Sequence, residues 1–349
     1  MRFGSLVLGA SAIVAASATA VSNKVERSAV FRCKACTLFF SLPKEQQPGV
    51  GTNVAGAEFG EDVIPGEEGT DYTWPNTTTI ELLIYGGGLN TFRIPFLMER
   101  LAPNGLTEPF DEDYLGNLVR IAMHIIKQHS IPVLDPHNYG RYNGEIIDSP
   151  EDFKAFWKRL ATTFKVNDKV IFDVNNEFHD MDQDLVFDLN QAAIDGIRSA
   201  GAENHWIWAE GNSYSGAWTW AEVNDNLKKL TDPSSRTVFE MHQYLDKDGS
   251  GTSEECVSET IGRERLASAT AWLEENGQVG VLGEFAGASN DVCKDAVKDM
   301  LAYLSMNNGV WWGLVWWSAG PWWEDYMFSI EPGTGPAHDW AVPTLAGYS

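Results

Sequence analysis

From Gly51 onward, short apolar and β-branched runs alternate with longer stretches in which apolar residues recur every three or four positions. The short runs fall at about 51–59, 90–96, 131–137, 170–177, 205–211, 237–244, 279–285 and 310–317, and their length and composition predict buried strands. Helical spacing fills about 112–129, 151–165, 183–200, 256–276 and 291–306. Ser149-Pro150-Glu151-Asp152 and Asp180-Met181-Asp182 place acids where helix starts want them, near the positive end of the dipole. A repeat of roughly 35–45 residues predicts βα units, and eight such units predict an α/β protein built as a (β/α)8 TIM barrel. No Pro, Gly or Ser-rich linker divides the region, so residues 49–349 are expected to form a single catalytic domain. An open doubly wound sheet is the other architecture. It would carry a phosphate loop, but Gly86-Gly87-Gly88 lacks the G-x-G-x-x-G form and precedes a strand.

The chain before this rhythm reads differently. Arg2, the apolar stretch from Leu6 to Ala16 and Ala18-Thr19-Ala20 have the order of a secretory signal over residues 1–20. The apolar run is too short to span a bilayer, and no later stretch is a better candidate. Export to the outside of the cell is therefore expected. Residues 21–48 lack both periodicities and read as a pro-segment or an atypical insertion.

Composition sharpens the picture in three places. The formal net charge of -24 argues against nucleic acid and anionic membrane as partners. The 14 Trp residues suit a neutral carbohydrate partner, because flat indole faces pack against the C–H faces of sugar rings; the alternative is that they fill the core. Export lets the four cysteines form disulfides. Cys256 and Cys293 flank one predicted helix, whereas Cys33 and Cys36 form a lone C-x-x-C without the further ligands a metal site needs. Asn76-Thr77-Thr78 is a glycosylation sequon. Nothing in the chain indicates an oligomer, and a monomer is the default.

Two strands carry the candidate chemistry. Val170 to Val174 leads into Asn175-Asn176-Glu177, and Val279 to Gly283 leads into Glu284. A carboxylate at the mouth of an apolar strand is costly to desolvate, so its presence calls for a reason. In a (β/α)8 barrel the site lies at the C-terminal strand ends. Read in order, those ends give Arg93, His137 and Asn138, Asn176 and Glu177, Glu210, His242 and Tyr244, Glu284, and Trp317. Paired carboxylates are what a retaining glycosidase requires. Glu284 is assigned as nucleophile, with Arg93 and Tyr244 as donors that keep it ionised. Glu177 is assigned as general acid and then base, with a pKa expected to be raised by burial and by the charge of Glu284. His137 and His242 are expected to orient substrate hydroxyls or tune the pair, against the alternative of satisfied core histidines. Trp317 is a sugar platform or core filler. Glu210 competes for a catalytic role and is read as supporting instead. His179 and Asp180 are read as the start of the next helix.

These residues resemble glycoside hydrolase family 5, and within it the fungal endoglucanase branch, subfamily 5. The runs that carry the resemblance include Ala55-Gly56-Ala57-Glu58-Phe59-Gly60, Thr91-Phe92-Arg93-Ile94-Pro95-Phe96, Asp135-Pro136-His137-Asn138-Tyr139-Gly140, Asn175-Asn176-Glu177, Glu240-Met241-His242-Gln243-Tyr244, Gly283-Glu284-Phe285-Ala286-Gly287 and Trp316-Trp317-Ser318-Ala319-Gly320-Pro321-Trp322-Trp323. The resemblance spans Gly51 to the C-terminus. It implies a barrel, retaining hydrolysis, no metal and no cofactor. It also implies Glu177 as acid/base and Glu284 as nucleophile. The surrounding shell it implies is Arg93, His137, Asn176, His242, Tyr244 and Trp317, with Asn176 serving the sugar 2-hydroxyl; Asn138, Tyr214 and Trp322 join them as further substrate-binding candidates. The pairing Cys256–Cys293 rests on the same resemblance.

Three departures stand out. Phe178 follows the acid where the branch usually has Tyr, which predicts a tuning effect only. Tyr214 lies where the branch often has Trp and is expected to weaken one sugar subsite. Cys33 to Pro48 interrupts a stretch that in the family runs almost directly into the first strand. It is read as a mistranslated intron, the alternative being a real surface insertion. The expected activity is that of a secreted endo-β-1,4-glucanase acting on cellulose and soluble β-glucans. No cellulose-binding module is recognisable, which predicts a preference for amorphous or soluble chains. The rivals are β-mannanase or β-1,3-glucanase activity on the same scaffold, and a carbohydrate-binding protein without catalysis.

Overall fold

The computed structural model describes residues 49–349. The expectations for residues 1–48, namely the signal, the pro-segment, the odd insertion and the state of Cys33 and Cys36, lie outside the described residues. Eight parallel strands close a barrel in the order β1-β10-β9-β8-β7-β6-β3-β2. They are β1 (Val50–Val54), β2 (Thr91–Phe96), β3 (Ile131–Pro136), β6 (Ile171–Asp173), β7 (Ile207–Glu210), β8 (Thr237–His242), β9 (Gly280–Phe285) and β10 (Trp311–Ala319). The strands β4 (Arg141–Tyr142) and β5 (Glu145–Ile146) form a separate two-stranded hairpin after β3.

The five predicted helices are present as α3 (Glu112–Lys127), α4 (Pro150–Phe164), α5 (Gln183–Ser199), α7 (Ile261–Asn276) and α8 (Asp291–Met306). Their starts follow from side-chain caps. Ser149 accepts from Asp152 N with Pro150 in the first turn, and Asp182 accepts from Asp184 N and Leu185 N. The pattern missed α1 (Thr77–Tyr85), α2 (Met98–Leu101), α6 (Trp220–Val223) and α9 (His338–Ala346). Two of these are four residues long, too short to show a period, and α9 carries Pro343 inside it.

Asn76 is exposed at the end of the segment that leads into α1, which it caps by accepting from Thr78 N. The structure joins Cys256 to Cys293, whose Cα atoms are 5.2 Å apart. Among the described residues no helix is long and apolar enough to cross a membrane.

Alternation along the strands sends one set of side chains to the helices and the other into the barrel. On β2, Phe92, Ile94 and Phe96 are fully buried and belong to the hydrophobic core cluster. Arg93 between them points to the opposite face, where it meets side chains of β1, β3, β7 and β9. Barrel interiors are usually filled by branched aliphatic layers. Here one interior layer is polar and fully buried: Asn53, Arg93, Asp135, Asp173, Glu210 and Glu240 are all 0% exposed.

Candidate active site

The polar layer is organised by one guanidinium. Arg93 Nε donates to Asp173 Oδ2 at 2.7 Å. Its Nη1 reaches Asn53 Oδ1 at 3.0 Å, Glu284 Oε1 at 2.8 Å and Asp135 Oδ2 at 3.0 Å. Its Nη2 reaches Asn176 Oδ1 at 2.8 Å and Glu210 Oε1 at 3.0 Å. Burial alone would lower the pKa of Arg93, but Asp135, Asp173, Glu210 and Glu284 outweigh it and hold the cation well above its ordinary value. One cation cannot balance so many carboxylates, and the surplus carries protons. Burial pushes Asp135 up to about 7 and Asp173 up to about 6 against the pull of Arg93. Glu210 rises well above its ordinary range, by burial and then by the nearness of Glu240 and Asp173.

Glu284 sits within β9 one residue before its end, where the register shifts against both neighbouring strands, and its side chain is 4% exposed. Besides Arg93 it accepts from the Tyr244 hydroxyl, Oε2 at 2.7 Å. Burial and the charge of Glu284 raise the phenol well above its ordinary value, so it remains a donor. Both donors expected for Glu284 are in place.

Glu177 arrives by a different route. A strand was expected to run to residue 177, but β6 stops at Asp173. Val174 and Asn176 still donate backbone bonds to Trp208 O and Pro136 O, but Glu177 takes φ 49°, the left-handed region. Bulky residues rarely adopt it without tertiary support. Neighbours on a strand would face opposite sides, but here Asn176 and Glu177 both turn to the site. Glu177 Oε1 lies 2.6 Å from His242 Nδ1, and His242 Nε2 lies 2.8 Å from Glu240 Oε1. His242 Nδ1 is also 3.6 Å from Glu284 Oε2. Burial works against a charge on His242, but Glu240, Glu284 and Glu177 raise its pKa well above the ordinary value, so both ring nitrogens donate. A carboxylate oxygen of Glu177, a ring nitrogen of His242 and a carboxylate oxygen of Glu284 all lie within 4.8 Å of one another.

His137 plays another part. Burial lowers its pKa to about 3, keeping the imidazole neutral. Its Nδ1 sits 2.8 Å from Asp135 Oδ2, which assigns the proton to Nδ1 and leaves Nε2 as an acceptor. The ring stacks on Trp317, centroids 5.2 Å apart and planes 15° off parallel. Trp317 packs edge-on against Trp323, which stacks on Tyr326.

The remaining predicted residues separate. Asn138 is held away from the acids by Met98 N at 2.9 Å and by Glu99 Oε2 at 2.6 Å, so it braces the chain after β2. Tyr214 is 50% exposed and stacks on His179 at 4.3 Å. Trp322 is 37% exposed on the segment after β10. Phe178 is fully buried and fills the space beside Gly140, where a Cβ would meet its ring at 2.6 Å.

Asn53, Asp135, Asp173 and Glu240 were not singled out from the sequence. Two of them were findable: Asp135 stands two residues before His137 and Glu240 two before His242, so each pair shares a strand face. The three atoms around His242 could geometrically hold a metal ion, as could Glu210, Glu240 and His242, or Asp135, Asp173 and Glu210. Three of these contacts already form hydrogen bonds or ion pairs within the set.

A family model described as cellulase, glycosyl hydrolase family 5, matches residues 47–321. The chain is 53% identical over 348 residues to a protein of Neosartorya fischeri named probable endo-beta-1,4-glucanase B, covering 100% of this chain and 99% of that one. It is 59% identical over 298 residues to endo-beta-1,4-glucanase B of Emericella nidulans, covering 85% and 90%. Among solved structures it is similar to XacCel5A in complex with cellopentaose, with 38% identity, TM-score 0.83 and coverage of 87% and 100%.

Proposed function

The chain belongs to family 5 of the glycosyl hydrolases, the cellulase family, and from that premise we propose that it is a secreted retaining endo-β-1,4-glucanase. The observation that carries the reading is the meeting of Glu177, His242 and Glu284 within 4.8 Å. Retaining enzymes keep their two carboxyl groups about 5–5.5 Å apart, whereas inverting ones leave about 6.5–9.5 Å for a water. Glu284, ionised and gripped by Arg93 and Tyr244, attacks the anomeric carbon. Glu177 gives its proton to the departing glycosidic oxygen. The bond from that carbon to the leaving sugar breaks as the bond to Glu284 forms. Water then enters, Glu177 takes its proton, and the hydroxide equivalent releases the sugar from Glu284.

Asn176 suits the sugar 2-hydroxyl. Its Oδ1 is held by Arg93, while its buried Nδ2 has no partner among the described residues. Neutral His137 offers Nε2 to another hydroxyl, and Trp317 offers an indole face. The named relatives support a β-1,4-glucan as substrate, and the solved cellopentaose complex belongs to a similar protein. Export follows from the character of residues 1–20, and an acidic surface suits an uncharged polysaccharide. Glycosylation at Asn76 is consistent with its exposure. A monomer needs nothing further to complete the site, because every residue of the proposed chemistry comes from one chain.

Side-by-side assays on carboxymethylcellulose, glucomannan and mannan test the substrate. Faster release of reducing ends from carboxymethylcellulose is expected. Cleavage of mannan with cellulose derivatives untouched would replace glucan by mannan.

A further inference from the structure

Glu210 ends β7, is 0% exposed, and takes no part in the steps above. Its two oxygens do different things. Oε1 accepts from Arg93 Nη2 at 3.0 Å, and the other arm of that guanidinium donates to Glu284 at 2.8 Å. Oε2 accepts from the backbone N–H of Glu177 at 2.7 Å. That N–H belongs to a residue in the left-handed region, four positions past the end of its strand, where no ladder bond holds it. An unsupported residue of this kind relaxes to the extended or helical region.

We propose that Glu210 is a positioning residue for the acid: it pins the main chain of Glu177 to the guanidinium that grips Glu284, and so sets the gap and alignment between the two carboxyls. Among the described residues it is the one side chain bonded both to the backbone of Glu177 and to Arg93. Losing it lets the Glu177 carboxyl drift while Arg93 and Tyr244 continue to hold Glu284. Proton delivery then suffers and nucleophilic attack does not. This rests on the reading of Glu177 as general acid.

The test compares two aryl β-cellobiosides, one with a phenol leaving group, which needs the acid, and one with 2,4-dinitrophenol, which does not. Glu210→Gln keeps the shape but leaves one of the two donors facing an amide N–H. Glu210→Asp keeps the carboxyl but falls one methylene short of spanning both partners. For each variant, kcat/KM on the phenyl substrate is expected to fall about 10–100-fold, the scale of a small misplacement of a catalytic group. On the dinitrophenyl substrate it should change less than about threefold. The ratio of the two values is independent of how much protein folds, so a merely structural role would not move it. Equal losses on both substrates, or no loss on either, overturn the proposal. Glu177→Gln, measured in parallel, separates the two readings. If it shows no leaving-group dependence, the acid assignment fails; if it does and the Glu210 variants do not, only the positioning role fails.

Discussion

The ends of β9 and β6 deliver the same functional group to the same place by opposite means. Glu284 lies inside a strand paired on both sides, where the register shifts against each neighbour, and its carboxylate receives a cation and a phenol. Glu177 lies past the end of a three-residue strand, in a left-handed conformation, with a histidine as partner and a side chain 15% exposed. The first arrangement fixes a charge and shields it. The second leaves an oxygen free to exchange a proton with a substrate or a water. A chemical difference between two identical carboxyls is thus written in the backbone that presents them as much as in their neighbours.

Exchanging one carboxyl for an amide probes the contrast most strongly at Glu284. Glu284→Gln is expected to lower kcat on soluble glucan by at least about 10⁴-fold, the scale of losing a nucleophile, while cello-oligosaccharide binding by calorimetry persists. Glu177→Gln should cost about 10²–10⁴-fold on the same substrate, the contribution of a placed acid, and exogenous azide should restore turnover of an activated aryl cellobioside as a β-glycosyl azide. An α-azide from Glu177→Gln, or a β-azide from Glu284→Gln, would exchange the two roles.

A smaller effect is expected from Tyr244→Phe, which removes one of the two donors on Glu284 and leaves Glu177 untouched. A hydrogen bond to a charged group is worth about 1.5–3 kcal/mol, so steady-state kcat should fall roughly 10–100-fold. An unchanged kcat would mean that the grip on β9 is supplied by Arg93 alone.

The smallest effect concerns the shared floor beneath both ends. Burial raises Asp135 to about 7 and Glu58, beside the β1 end, to about 8, and His242 is raised well above its ordinary value against its own burial. Each holds its proton more tightly folded than unfolded, so the stability tied to that proton is present at low pH and is lost as pH rises through the folded pKa. His137, lowered to about 3, works in the opposite sense but only below about 6.5, its unfolded value. The clean window is therefore about pH 6.5–8. The thermal midpoint should fall steadily across it, and a flat or rising profile would show that the buried acids are not protonated.

Much of this was legible in the chain. Strand runs with a carboxylate at their mouth located Glu177 and Glu284, and helical spacing placed α3, α4, α5, α7 and α8 within a few residues. What was not legible lies where local pattern and tertiary demand part. Nothing in Val174-Asn175-Asn176 announces that β6 stops at Asp173 or that Glu177 turns left-handed, because the partner of Glu177 N, Glu210, lies 33 positions away. Asp173 hid inside an apolar run, since its partner Arg93 is brought to it from 80 positions away by barrel closure. Asn138 stood at the right strand end but is turned aside by Met98 and Glu99 at the start of α2, contacts from 40 and 39 positions away.

The central claim is that two carboxyls face each other across a gap too narrow for an intervening water. Proton NMR of the first products released from cellopentaose tests it most directly. The account predicts that the new reducing ends appear as the β-anomer and only later equilibrate with α. Initial appearance of the α-anomer would contradict it.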